Sequence, residues 1–176
     1  MHVAVTAVGT DRPGIVAAVS KVLYDAGTNI EDSRMAILGG HFAMMLIVAL
    51  PAGSDPDALE AALAESARAL DLVVSVRPVA EAPAEHAEGA PFVVSVYGAD
   101  RPGIVHRVSS LLAERRINIS DLATHVIEGE TPVYVMILEV TLPAGADDAA
   151  IAGELKALAD DLGIDVSMRP MDADTL

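Results

Sequence analysis

The chain has 176 residues, 52% hydrophobic and 21% charged, which is the composition of an ordered protein long enough for two small domains. Its 26 acidic and 11 basic side chains leave a net charge of −15, and a surface of that sign repels phosphate backbones and anionic lipid, so neither nucleic acid nor a membrane is expected as a direct partner. The lack of cysteine excludes disulfides, thiolate metal sites and a cysteine nucleophile.

In chain order, residues 3–8 form a Val and Ala run ending at Gly9, which reads as a buried strand. Asp11 stands two residues before Pro13, so a helix is expected to start there. Proline suits a first helical turn, and the aspartate is placed to accept from free N–H groups. Ile15, Val19, Val22 and Leu23 share one helical face, and Gly27 is placed to stop it. A strand over 30–38 puts Met35 and Ile37 on one side and Asp32, Arg34 and Ala36 on the other. Gly39-Gly40 marks a hairpin into an apolar third strand over 41–50. Asp55-Pro56 opens a second helix with Leu59, Ala62, Leu63, Ser66 and Leu70 inside, and a strand over 72–77 closes the module.

Residues 80–90, rich in Ala, Glu and Pro, read as a linker between a first domain over 1–79 and a second over 91–171, with a frayed tail at 172–176. The second domain repeats the first. Asp11, Arg12, Pro13, Gly14, Ile15 and Val16 recur unchanged as Asp100, Arg101, Pro102, Gly103, Ile104 and Val105. Gly9 matches Gly98, Asn29-Ile30 matches Asn118-Ile119, and Asp32 matches Asp121. A helix from Pro102 to Arg115, strands over 117–127 and 133–142, a helix capped by Asp147 or Asp148 and a strand over 164–169 complete the copy. Such a period is too long for a solenoid and right for a duplicated small domain.

Strand, helix, strand, strand, helix, strand, taken twice, predicts an α+β protein of two ferredoxin-like domains. Each would have an antiparallel sheet of four strands with two helices on one face. The apolar third strand makes the second sheet face greasy as well, so a sister module or second chain is expected to cover it, and a homo-oligomer is the consequence. The first residues lack a basic leader and are interrupted by Asp11, Arg12 and Pro13; the longest apolar run, 42–50, is too short to cross a bilayer. A cytoplasmic protein is expected.

The repeated turn is the candidate site. A helix N-terminus offers free N–H groups and a partial positive charge to a carboxylate, glycine permits close approach, and Asp11 or Asp32 with the Asn29 amide offers a seat for an ammonium. The combination fits an α-amino acid. Equally open is a purely local role, with Asp11 capping, Pro13 starting the helix and Arg12 paired with a neighbouring acid. Enzymatic readings find less: there is no nucleophile elbow, no phosphate-binding glycine loop and no cofactor motif. His2, His41, His86, His106 and His125 are dispersed, so no metal site is expected.

The element order, the Asp-Arg-Pro-Gly-Ile-Val turn and the Asn-Ile opening the second strand resemble the ACT domain, a small-molecule-sensing module. Tandem pairs with little else resemble the glycine cleavage system transcriptional repressor family. The resemblance implies amino-acid binding where first strand meets first helix, near a domain interface, through Asp11, Arg12, Pro13, Gly14, Ile15, Asn29 and Ile30. In the second copy it implies Asp100, Arg101, Pro102, Gly103, Ile104, Asn118 and Ile119. It further implies a non-catalytic regulator acting through a protein partner in control of amino-acid metabolism. A detached regulatory subunit of a metabolic enzyme is the alternative, and an enzyme of unrecognised type the third reading.

Overall fold

A computed structural model describes residues 1–80, 89–130 and 132–171. The chain divides into two compact units, Met1–Pro83 and Ala84–Leu176. Most of the expected linker, residues 81–88, and the whole tail 172–176 lie outside the described residues; 89 and 90 already belong to a strand.

The first unit runs β1 (His2–Thr10), α1 (Ile15–Asp25), β2 (Asn29–Leu38), β3 (His41–Ala49), α2 (Pro56–Arg68) and β4 (Leu72–Val79). The second repeats it as β5 (Gly89–Gly98), α3 (Ile104–Glu114), β6 (Asn118–Ile127), β7 (Val133–Pro143), α4 (Asp148–Leu162) and β8 (Ile164–Pro170). Each sheet is antiparallel, ordered β2-β3-β1-β4 and β6-β7-β5-β8, which is the ferredoxin-like plan expected.

One sheet face and the inner faces of the helices make each core. Val3, Val5 and Ala7 of β1, with Phe42, Met44, Leu46 and Val48 of β3, pack under Ile15, Val19 and Leu23 of α1 and Leu59 and Leu63 of α2. Ala67, not the expected Ala62 and Ser66, completes the buried stripe of α2, because the helix turns Leu59, Leu63 and Ala67 inward at a strict four-residue spacing. On the outer face β3 alternates into exposed or half-buried His41, Ala43, Met45, Ile47 and Ala49, so the strand is apolar but only one side of it is core.

The two edges of each sheet are irregular in different ways. A bulge after Ile30, and its counterpart after Ile119, shifts the register of β2 and β6 by one residue. As a result Ile30 and Ser33 fall on the same face. On the opposite edge, β4 and β8 run through Pro78 and Pro170, beyond the ends expected for both strands; an edge strand tolerates a residue with no N–H.

Candidate functional site

The helix entrances differ from the sequence expectation in one respect. Pro13 and Pro102 lie before the helices, which start at Ile15 and Ile104. The N-cap is glycine: Gly14 with φ +97° and Gly103 with φ +95°. No side chain caps either helix, so Asp11 and Asp100 do not accept the bonds foreseen for them. A left-handed turn at glycine brings the chain into the helix instead, and there a β-carbon is strained on any other residue. Aspartate capping does occur where the chain enters extended: Asp55 accepts from the Asp57 N–H at 3.0 Å and Asp147 from the Ala150 N–H at 3.0 Å.

The result is an open helix N-terminus. Gly14 and Gly103 carbonyls accept the first helical bonds, from Ala18 and Arg107, both at 2.9 Å. The N–H groups ahead of these have no partner within a helix. A β-carbon built on either glycine would meet nothing within 4 Å. The first entrance is pinned to the hairpin by the Asp11 N–H, which donates to the Gly40 carbonyl at 2.9 Å. Gly9 has a packing role: a β-carbon there would lie 2.5 Å from the Asp71 carbonyl oxygen.

The two arginines of the turn part company. Arg101 donates from Nη1 to the Leu162 carbonyl at 3.2 Å, holding the C-terminus of α4. Arg12 is exposed and, among the described residues, makes no hydrogen bond or ion pair.

Asn29 and Ile30 do not join the turn within one module. Asn29 pairs with Ala49, which pairs with His2 at the start of β1, whereas the turn comes after Thr10 at its far end. The nine-residue β1 separates them by on the order of 25 Å. Asp32, paired with Ile47 and so level with Ala4, also lies toward the His2 end of β1, away from the turn. Asn118 and Ile119 are separated from Gly98 and the second turn in the same way. The picture of one module holding both ends of an amino acid through Asp11, Asn29 and Asp32 is therefore corrected: α1 spans the sheet and leaves its start and its exit at opposite ends.

A concavity not anticipated from sequence lies between α1 and β2. Val16, Val19 and Ser20 form one wall and Ile30, Ser33, Arg34 and Met35 the other, around about 180 Å³ of space. Its signal in the sequence was faint: a small Ser33 beside Met35 on an edge strand that is exposed along its length.

Among the described residues no group of three or more His, Asp or Glu is placed to hold a metal ion. His2 Nε2 lies 3.0 Å from Glu31, and His106 Nδ1 lies 3.4 Å from the Ser110 hydroxyl; His86 lies outside the described residues. Arg115 at the end of α3 forks onto Glu154 of α4, Nε to Oε2 at 2.8 Å and Nη2 to Oε1 at 2.5 Å, and this hydrogen bonding raises the guanidinium pKa. In the second core burial holds the Tyr134 phenol above its ordinary value, against a hydrogen bond with Thr124. No described helix is long and apolar enough to cross a membrane.

Two βαββαβ modules in tandem, each with a glycine-capped helix entrance facing outward, place the chain among the small ferredoxin-like domain proteins. Over residues 1–77 and again over 90–169 it matches the ACT domain model, and it belongs to the ACT domain family. It is 29% identical over 164 residues, 92% of this chain and 85% of the relative, to the glycine cleavage system transcriptional repressor of Escherichia coli (strain K12). A UPF0237 protein of Methanopyrus kandleri is 38% identical over 81 residues, 46% of this chain and 87% of its own length. The fold superposes on a crystal structure of an unknown protein from Galdieria sulphuraria with a TM-score of 0.83, at 28% identity, over 97% of this chain and 98% of the other. A solved structure assigned to the glycine cleavage system transcriptional repressors gives a TM-score of 0.71 at 27% identity, over 97% of both chains.

Proposed function

We propose that the chain is a non-catalytic, cytoplasmic regulatory protein that binds an amino acid and acts through a protein partner, in transcriptional control of amino-acid metabolism. The observation that carries this reading is the open N-terminus of α1, where a β-carbon on Gly14 would meet nothing within 4 Å, with Arg12 two residues ahead of it in the chain as a receiver for a carboxylate. The relationship to a transcriptional repressor supports the pathway, and the net charge of −15 favours a protein partner over direct contact with DNA. Ligand binding would favour one arrangement of the protein and so change the population the partner meets.

The first entrance is the better candidate of the two, since Arg101 is engaged by α4 and Arg12 is not. Asn29 and Ile30 would complete a site only when contributed by a second chain lying antiparallel beside the turn, which ties binding to self-association.

Calorimetry with the twenty standard amino acids tests the reading. At least one is expected to bind, and Arg12→Gln to weaken it about tenfold or more, the loss of one charge-assisted bond. Arg12→Gln is a cleaner variant than valine at Gly14, where a side chain would be strained at φ +97° whatever the ligand does. No heat from any amino acid would remove the sensing function. A pull-down returning a metabolic enzyme would favour the regulatory-subunit reading.

A further inference from the structure

We infer that the cleft between α1 and β2 of the first module is a second binding site, specific to that module, for a small branched aliphatic molecule with a hydroxyl-bonding head. The cleft is floored by Met44 and Leu46 of β3, both buried, and its walls are mainly apolar. Its 180 Å³ exceeds the ~150 Å³ engineered apolar cavity that takes up benzene.

The sister module indicates the shape that belongs there. Ser33 pairs with Leu46 in β3, and at the equivalent register Leu122 pairs with Leu138 in β7. An isobutyl group, itself 41% exposed, thus stands on the helix-facing side of β6 and covers part of the space where β2 has only a hydroxymethyl. Ile119 packs against the second core, but its counterpart Ile30 remains 39% exposed. In the first module the same volume is open to a guest, and apolar contact with Val19, Met35 and Met44 would draw in an aliphatic one. The Ser33 hydroxyl, without a hydrogen bond among the described residues, is a polar partner for the guest's head, whereas the Ser20 hydroxyl already donates to the Ala17 carbonyl at 3.2 Å.

The methionines serve as reporters. Met35 and Met44 line the cleft, Met45 is on the opposite face of β3, and Met136 lies in the second core. Full-length protein with carbon-13 methyl-labelled methionine is titrated with 3-methylbutan-1-ol. The Met35 and Met44 methyl signals are expected to shift and saturate, with half-saturation on the order of 1 mM, while Met45 and Met136 stay in place. Ser33→Leu, which installs the sister module's residue, is expected to weaken binding about tenfold or more with the other methionine signals unchanged. Ser33→Ala, which opens the cleft but removes the hydroxyl, is expected to weaken it roughly threefold to tenfold. Shifts that never saturate, or that are equal in wild type and Ser33→Leu, would overturn the inference. So would Met35 and Met44 signals that move with protein concentration alone, which would mean that a second chain fills the cleft. The titration is independent of the helix-entrance reading, because Arg12→Gln should leave it unchanged.

Discussion

The two modules share six consecutive residues at the turn and the fold around it, and differ in what the turn's arginine meets and in how the space beside the first helix is filled. In the second, the arginine of the turn reaches across to the end of α4 and an additional fork, Arg115 to Glu154, ties α3 to the same helix. In the first, the equivalent arginine is left over, and the space beside α1 is unfilled. Identical local sequence therefore produces one tethered entrance and one available entrance. The determinants lie in residues distant from the motif: the C-terminal end of α4, and Leu122 where β2 has Ser33.

The largest expected break in the symmetry is at the glycine before the turn. A methyl group on Gly9 would press first on backbone, the Asp71 carbonyl at 2.5 Å, whereas on Gly98 it would meet first the Ile164 Cγ2 methyl at 2.6 Å and then the Cβ and Cα of that residue at 2.9 and 3.1 Å. Gly9→Ala is expected to destabilise by about 3 kcal/mol and Gly98→Ala by about 2, in denaturant unfolding, because the nearest atom at Gly98 is a methyl that rotation about the Ile164 side chain can move, whereas a backbone carbonyl cannot turn aside. Equal losses would show that the two strand pairs are equally pliable.

A smaller effect sharpens a complementary asymmetry. At the end of the first helix the left-handed position holds Gly27 in one module and Arg116, φ +57°, in the other; after the second helix it holds Asp71, φ +53°, and Gly163. Each module has one relaxed and one strained helix end. Arg116→Gly and Asp71→Gly are each expected to stabilise by about 1 kcal/mol, the left-handed penalty of a non-glycine residue, and to add when combined. Thermal melts that do not rise would show that tertiary contacts of the arginine or aspartate offset the strain.

The smallest effect is confined to alkaline pH. Tyr134 occupies the position of Phe42, and burial raises its pKa above 10.0. From pH 10.0 upward the unfolded chain releases the phenol proton before the native one does, so the native state binds more protons and stability falls as pH rises. Tyr134→Phe should flatten the decline attributable to this group, and an unchanged slope in denaturant melts at alkaline pH would exclude it as the cause.

Much of this architecture was legible in the sequence. Duplication fixed the module, period-two and period-3.6 spacing placed the strands and helices, and Gly27 and Asp55 ended and began helices as expected. What escaped were features set by geometry at a distance. Asp11 and Pro13 resembled the Asp55-Pro56 helix start, but a left-handed glycine intervened. Asn29 adjoined the end of α1 in sequence, and only the strand register showed it to be a full sheet length from the turn. The cleft depended on a bulge that aligns Ile30 with Ser33, which alternation counted along the chain would have assigned to opposite faces.

The prolines of β4 and β8 have a consequence for growth. A sheet elongates only where an outermost strand can offer an unbroken row of donors and acceptors, and Pro78 and Pro170 interrupt that row on one side of each sheet. The other side, β2 or β6, contains no proline. Polymerisation into a ribbon requires two adhesive sides, so a module sealed along one margin can accept a neighbour at the other and then has nowhere further to extend. Each module thus has one margin open to pairing and one that resists it.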